Sequence, residues 1–322
     1  MRQRLRAYAS LVRAFLTPTA LADSSAGFLT ASYAGLEATR ANELEGLPLE
    51  AWAGTAVTSV ALYWFGMAAN DLLDREKDRH AEVRRPLVTG TVTAGEVVAL
   101  LFLLAAVALA TGVWLQTLAP ITAIIVLSLL YNAGGKRLPV IGNLLMGGCR
   151  GGNFLLGAVA AIGIGPTLQW PELLAAATLL VVYIASVTAV SVLEERQYSP
   201  RTLTLAASPC LAFPLLFVAL QPRDPWVWLN AITLAGIIAR GLRRAVQASQ
   251  TGHHRQGAAL FVQQGLGAIF FVDLGLVLAL VPNGIHRTLA SAILIALFGS
   301  FLLWKAAWFN GMARRHTVDE IG

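Results

Sequence analysis

The densest polar stretch of the chain is Asn70-Asp71-Leu72-Leu73-Asp74-Arg75-Glu76-Lys77-Asp78-Arg79. Its aspartates follow i, i+3, i+7 spacing, which at about 100° per residue places all three within roughly 60° of arc on one helix face. Three carboxylates on one face repel one another unless cations sit among them. Mg²⁺ takes oxygen ligands from one or two carboxylates, keeps several waters and shares its remaining positions with substrate phosphates. The spacing of Asp71, Asp74 and Asp78 therefore suits a metal–diphosphate site. A solvated helix end, its acids paired with Arg75, Lys77 and Arg79, is the alternative. Further along, Arg84 and Arg85 precede Pro86, and Lys136 and Arg137 follow Tyr131. Guanidinium groups bind phosphate bidentately and ammonium groups act as point charges, so these four suit the surroundings of a metal-held diphosphate. Each pair, taken alone, also reads as a topology determinant.

A second polar group lies inside an apolar run. Arg150 and Asn153 are three residues apart and share a helix face. A charge at membrane depth costs several kcal/mol by insertion scales and faces a cavity or a partner. Gly147, Gly148, Gly151 and Gly152 flank them in the small-x-x-x-small pattern that lets helices approach closely. Arg150 reads either as a cavity wall reaching substrate or as a buried cation paired with Asp23 or Asp273. His253 and His254 have no carboxylate or cysteine nearby, and Cys149 and Cys210 form neither a metal-site spacing nor a disulfide framework.

These groups need a scaffold, and composition says which. Of 322 residues, 56% are hydrophobic and 13% are charged, against roughly 25% charged in an ordinary soluble domain. With a mean hydropathy of +0.64, a soluble globular protein and a disordered chain are both excluded. Bilayer-crossing helices need about 20 mostly apolar residues. Ten segments qualify, near 15–34, 51–70, 94–114, 117–131, 140–163, 172–193, 203–220, 226–243, 257–281 and 286–309. With a cytoplasmic N-terminus, nineteen Lys and Arg fall in inside segments, three outside and two within spans. That bias follows the positive-inside rule and predicts both termini in the cytoplasm, with the Asp cluster at the cytoplasmic face. The net charge of +6 then belongs to cytoplasmic loops, and no nucleic-acid partner is expected. No linker rich in Pro, Gly or Ser interrupts the chain, so residues 1–322 read as one integral membrane domain.

The motif Asn70-Asp71-x-x-Asp74-x-x-x-Asp78, then Arg85-Pro86, then Tyr131 with Lys136-Arg137, resembles the UbiA superfamily of membrane prenyltransferases. The similarity runs from the first span to about the sixth. Gly142-Asn143-Leu144-Leu145-Met146-Gly147-Gly148-Cys149-Arg150-Gly151-Gly152-Asn153 is most similar to the EboC-like branch. The resemblance implies an all-α, polytopic transmembrane bundle of nine to ten spans around a central cavity. Its core would cover about 10–281, with 286–309 as an added C-terminal span. It also implies Mg²⁺-dependent transfer of an isoprenyl group from a prenyl diphosphate to a lipophilic acceptor, aromatic or otherwise, at the face of a bacterial inner membrane. By position, Asn70, Asp71, Asp74 and Asp78 match the first Asp-rich motif, which holds Mg²⁺ and diphosphate. Lys136 resembles the family's basic diphosphate contact. Arg84, Arg85, Tyr131, Arg137, Arg150 and Asn153 complete the expected substrate contacts.

One departure stands out. Typical members carry a second motif, Asp-x-x-x-Asp, at the inner end of the sixth span, where this chain reads Ser191-Val192-Leu193-Glu194-Glu195-Arg196-Gln197. Adjacent glutamates point about 100° apart, so they do not present two carboxylates side by side. Either Glu194 or Glu195 is expected to supply a second metal ligand, the alternative being that they pair with Arg196 or cap polar surface. The rival reading is a non-catalytic protein on the same scaffold that binds or transports a lipophilic metabolite.

Overall fold

A computed structural model describes residues 2–39, 48–81, 85–195 and 197–319. Among them there is no strand. Thirteen α-helices follow in order: α1 (Arg2–Leu11), α2 (Thr17–Thr39), α3 (Leu49–Leu73), α4 (Arg75–His80), α5 (Ala94–Leu115), α6 (Leu118–Ala133), α7 (Pro139–Ile162), α8 (Ile164–Gln169), α9 (Pro171–Val192), α10 (Pro200–Leu220), α11 (Pro225–Gln250), α12 (His254–Leu280) and α13 (Ile285–Asp319). The all-helical expectation is met. Arg84 lies outside the described residues, as does the side chain of Glu195.

Local chemistry sets many of the helix ends. Thr93 and Glu96 form a capping box at the start of α5: the Thr93 hydroxyl accepts from the Glu96 N–H, and the Glu96 carboxylate accepts from the Thr93 N–H at 2.8 Å. Ser199 caps α10 and Asp224 caps α11. Prolines open α7, α9, α10 and α11, where their missing N–H costs nothing. Gly163 (φ 83°) and Gly252 (φ 83°) adopt the left-handed backbone that turns the chain after α7 and α11.

Ten of the described helices have 16 residues or more, and they coincide with the ten apolar segments. Seven (α5, α7 and α9 through α13) are long and apolar enough to cross a bilayer. The other three fall short for identifiable reasons. Helix α6 has only 16 residues. Helices α2 and α3 bury polar side chains, among them Asp23, Ser24, Ser25, Thr55, Thr58 and Ser59. Those groups tie helices together: the Trp52 indole N–H donates to Ser25 Oγ at 3.1 Å, the Trp64 indole to Thr17 Oγ1 at 2.9 Å, and Thr58 and Thr111 hydroxyls meet at 2.7 Å.

Helix α7 is the hub, in contact with α2, α3, α6 and α9. Its glycines divide by face. A Cβ at Gly147 would lie 2.4 Å from the Val181 carbonyl oxygen and one at Gly151 2.7 Å from that of Ala177, both on α9. At Gly157 it would lie 2.0 Å from the Ser24 oxygen on α2. Only hydrogen fits at these crossings, which is how a membrane bundle brings backbones together without a hydrophobic driving force. The largest buried cluster, including Phe28, Phe154, Leu180, Tyr183, Phe261 and Phe270, joins α2, α7, α9 and α12.

Candidate functional site

The Asp-rich stretch straddles the α3–α4 junction. Asp74 ends α3, yet the helical hydrogen bonds continue through it, Asp74 N–H to the Asn70 carbonyl at 2.9 Å and Asp78 N–H to the Asp74 carbonyl at 2.8 Å. The face expected from the spacing is thereby kept: Arg85 Nη1 bridges Asp71 Oδ1 at 2.6 Å and Asp78 Oδ2 at 2.9 Å. Lys136, on the turn between α6 and α7, donates to Asp74 Oδ2 at 2.6 Å and Asn70 Oδ1 at 3.2 Å. These two cations come from the segment after α4 and from the turn before α7. Arg79 pairs instead with Glu76 at 3.3 Å. Burial pushes the Asp78 carboxyl up, helped by Asp74 and Asp71 and opposed by Arg85 and Lys136.

A cavity of 540 Å³ opens beside this cluster. Asn70 and Arg13 line it where α3 ends, with Tyr131 from α6 and Glu194 from the turn after α9. Its interior is mostly apolar, including Leu62, Ile124, Ile184 and Val187, and Arg150, Asn153, Thr19 and Ser59 form a polar patch on its wall. Arg150 joins both expected roles, lining the cavity while its Nε lies 2.9 Å from Asp23 Oδ2 and its Nη2 donates to the Thr19 carbonyl at 3.1 Å. Asn153 donates to the Ala20 carbonyl at 2.7 Å. Asp71, Asp74 and Asp78 stand behind Asn70 rather than on the cavity surface, and Arg137 is exposed with no ion pair among the described residues.

Arg13 escaped the sequence reading. Its Nη2 lies 3.3 Å from Asp71 Oδ1, its Nη1 2.7 Å from Met67 Sδ, and its backbone is left-handed (φ 47°, ψ 52°). A non-glycine residue held there costs of order 1–3 kcal/mol, strain that concentrates at functional sites. In the sequence it is one more arginine before the first span. Only the turn between α1 and α2 brings it to the cavity.

The donor set is hard oxygen, the kind Mg²⁺ prefers. Among the described residues no three His, Cys, Asp or Glu side chains converge into a metal cage. Mg²⁺ needs none, since one or two carboxylates suffice when phosphate and water complete the shell. Asp78 Oδ2 is buried, and its ion pair with Arg85 leaves its hydrogen-bonding capacity unfilled. These residues fit a metal held jointly with an anionic ligand.

The sequence pattern of the UbiA prenyltransferase family matches residues 28–262. The chain belongs to the UbiA prenyltransferase family. Solved structures share the fold at low identity. A UbiA homologue from Aeropyrum pernix K1 is 20% identical over 80% of this chain and 98% of that one, with a TM-score of 0.59. A digeranylgeranylglyceryl phosphate synthase structure is 18% identical over 87% of this chain and 99% of that one, at 0.58. A UbiA homologue from Archaeoglobus fulgidus bound to GPP and Mg²⁺ is 17% identical over 82% and 99%, at 0.51. No curated protein sequence matches the chain. In this UbiA family member α9 is followed by a short 3-10 turn, Leu193–Glu195. Glu194 lines the same cavity as Asn70.

Proposed function

We propose that this UbiA family protein transfers an isoprenyl group from a prenyl diphosphate to a lipophilic acceptor within the membrane, using Mg²⁺. One observation carries the reading: a largely apolar cavity whose polar end meets an Asn-Asp-x-x-Asp-x-x-x-Asp cluster threaded with Arg13, Arg85 and Lys136. The GPP and Mg²⁺ bound to the Archaeoglobus homologue support the donor class. Asn70, Asp71, Asp74 and Asp78 would hold the metal, with Glu194, or Glu195 beside it, supplying a second ligand set. Bound Mg²⁺ neutralises charge on a departing diphosphate. Arg13, Arg85 and Lys136 offset the same charge by turning from the acids to the phosphate oxygens, and Arg84 and Arg137 extend the basic surface. Leu62, Ile124, Ile184 and Val187 keep water from the allylic carbon, and Tyr131 lies at the donor end.

The lysine and arginine distribution supports a cytoplasmic site with both termini inside, and a bacterial inner membrane is the setting we assign to it. We read the chain as one domain of nine or ten spans, with a core over about 10–281 and 286–309 added. The Gly142–Asn153 stretch supports the EboC-like branch. The altered second motif favours one rival, a protein that binds or transports a lipophilic metabolite without transfer.

Diphosphate release by the purified protein, supplied with geranyl, farnesyl or geranylgeranyl diphosphate and a lipid extract, decides between them. Activity should depend on Mg²⁺, and Glu194→Gln should lower kcat by about a hundredfold with a smaller change in KM, as for a group acting mainly in the transition state. No release with any donor, alongside binding of a lipophile, establishes the rival.

A further inference from the structure

Glu194 reaches the cavity from a turn that one tyrosine ties down. Helix α9 ends at Val192, and Leu193–Glu195 forms its 3-10 turn against α12. Beyond it Pro200 favours extended backbone at Ser199 (φ −83°, ψ 155°), which bars a continuous helix into α10. In an unbroken helix Tyr198 would share a face with Glu194, four residues before it. The break gives the two side chains different destinations. Glu194 lines the cavity, whereas Tyr198 is 7% exposed in the core that joins α9, α10, α11 and α12.

A buried phenol needs a partner for its O–H. The Tyr198 hydroxyl donates to the His254 carbonyl, in the first turn of α12, at 2.7 Å. Its ring meets the His254 ring edge-on, with centroids 5.0 Å apart. Gly257, three residues further along α12, makes the room. A Cβ there would lie 2.9 Å from the Tyr198 hydroxyl oxygen and 2.7 Å from the Ala245 carbonyl oxygen on α11. The geometry points to Tyr198 as a positioning residue that pegs the turn after α9 to α12 and so holds Glu194 at the cavity. Position 198 is spent on anchoring, and the carboxylate it fixes is the one four residues earlier. A carboxylate held in place binds a metal without first losing the freedom of its turn. This inference rests on the reading of Glu194 as a metal ligand in the proposed transfer.

The test uses the purified full-length protein in lipid nanodiscs, with Mn²⁺ as a probe that shares the oxygen ligands of Mg²⁺. Its binding in the presence of geranyl diphosphate is read by electron paramagnetic resonance. Tyr198→Phe keeps the ring and removes only the hydroxyl. It should raise the half-saturating Mn²⁺ concentration about fivefold, the worth of one neutral hydrogen bond. Glu194→Gln should raise it at least as much. Adding Tyr198→Phe to Glu194→Gln should then change it by less than about twofold, because the turn has no ligand left to place. Tyr198→Asp, which puts a carboxylate four residues after Glu194, should weaken Mn²⁺ as well. A folded Tyr198→Phe protein with the parent's Mn²⁺ affinity overturns the inference. So do full fivefold losses in both backgrounds, which would make Tyr198 a general support of the fold, and so does a Tyr198→Asp protein that binds Mn²⁺ more tightly than the parent. If Glu194→Gln itself changes nothing, the proposed second ligand falls and takes the inference with it. A parent that obeys the cycle yet releases no diphosphate sinks the transfer reading and leaves the role of Tyr198 standing.

Discussion

Asp74 shows how far one residue depends on its surroundings. Its carboxylate meets Lys136, 62 positions away in sequence, at 2.6 Å. Removing that charge while keeping the shape, as in Asp74→Asn, should weaken Mg²⁺-dependent binding of geranyl diphosphate by about tenfold, or about 1.4 kcal/mol. Glu76→Gln should leave affinity nearly unchanged, because Glu76 is exposed and pairs with Arg79 on the same helical turn. Titration calorimetry on both variants checks the pair, and equal affinities would mean that the acids are merely a solvated helix end. The aspartates were legible because their spacing is local. Arg13 was not, because nothing in Arg2, Arg4, Arg6 and Arg13 distinguishes the one whose backbone turns left-handed toward Asp71.

At the scale of helices, two contacts bear weight that single residues do not reveal. Helices α2 and α7 touch backbone to backbone at Gly157, so Gly157→Ala should overpack the crossing and cost about 1–3 kcal/mol. Gly236→Ala on α11, where an added methyl would meet nothing within 4 Å, should be neutral or slightly stabilising through helix propensity. Thermal midpoints in detergent separate the two. The second contact joins the start of α11 to α13, where Asp224 accepts from the Trp226 N–H at 2.8 Å and pairs with buried Arg287. Burial alone would raise the Asp224 carboxyl, but hydrogen bonds from Arg287 and the Trp226 N–H, with the Arg287 charge, hold it below the usual range. A depressed acid stabilises the fold above its unfolded pKa and loses that contribution as pH falls through its folded value. Asp224→Asn keeps the cap and loses the charge. Its midpoint should lie several degrees below the parent's at neutral pH, and the gap should close in acid below the ordinary carboxylate range. A gap independent of pH would assign the loss to packing.

For the molecule as a whole, orientation is the property on which the proposed site depends. A cysteine at Asn283, in the exposed loop between α12 and α13, should react with an impermeant thiol reagent applied outside intact cells, and one at Thr251, between α11 and α12, should not. The reverse pattern would place the Asp cluster on the outer face. What the sequence by itself determined is everything with a short period: ten apolar stretches, helix caps such as Thr93 with Glu96, the aspartates on one face, and a family pattern over residues 28–262. These follow from interactions within a few residues or from partition between water and lipid, and composition encodes both. Tertiary structure alone decided which charges meet. Lys136 and Arg85 meet the acids while Arg79 pairs with Glu76, and Glu194 came to line the same cavity as Asn70. Arg150 on α7 found Asp23 on α2. The physical reason is that a buried charge must find a partner wherever the packing of helices places one, and that placement is set by glycine crossings between helices far apart in sequence.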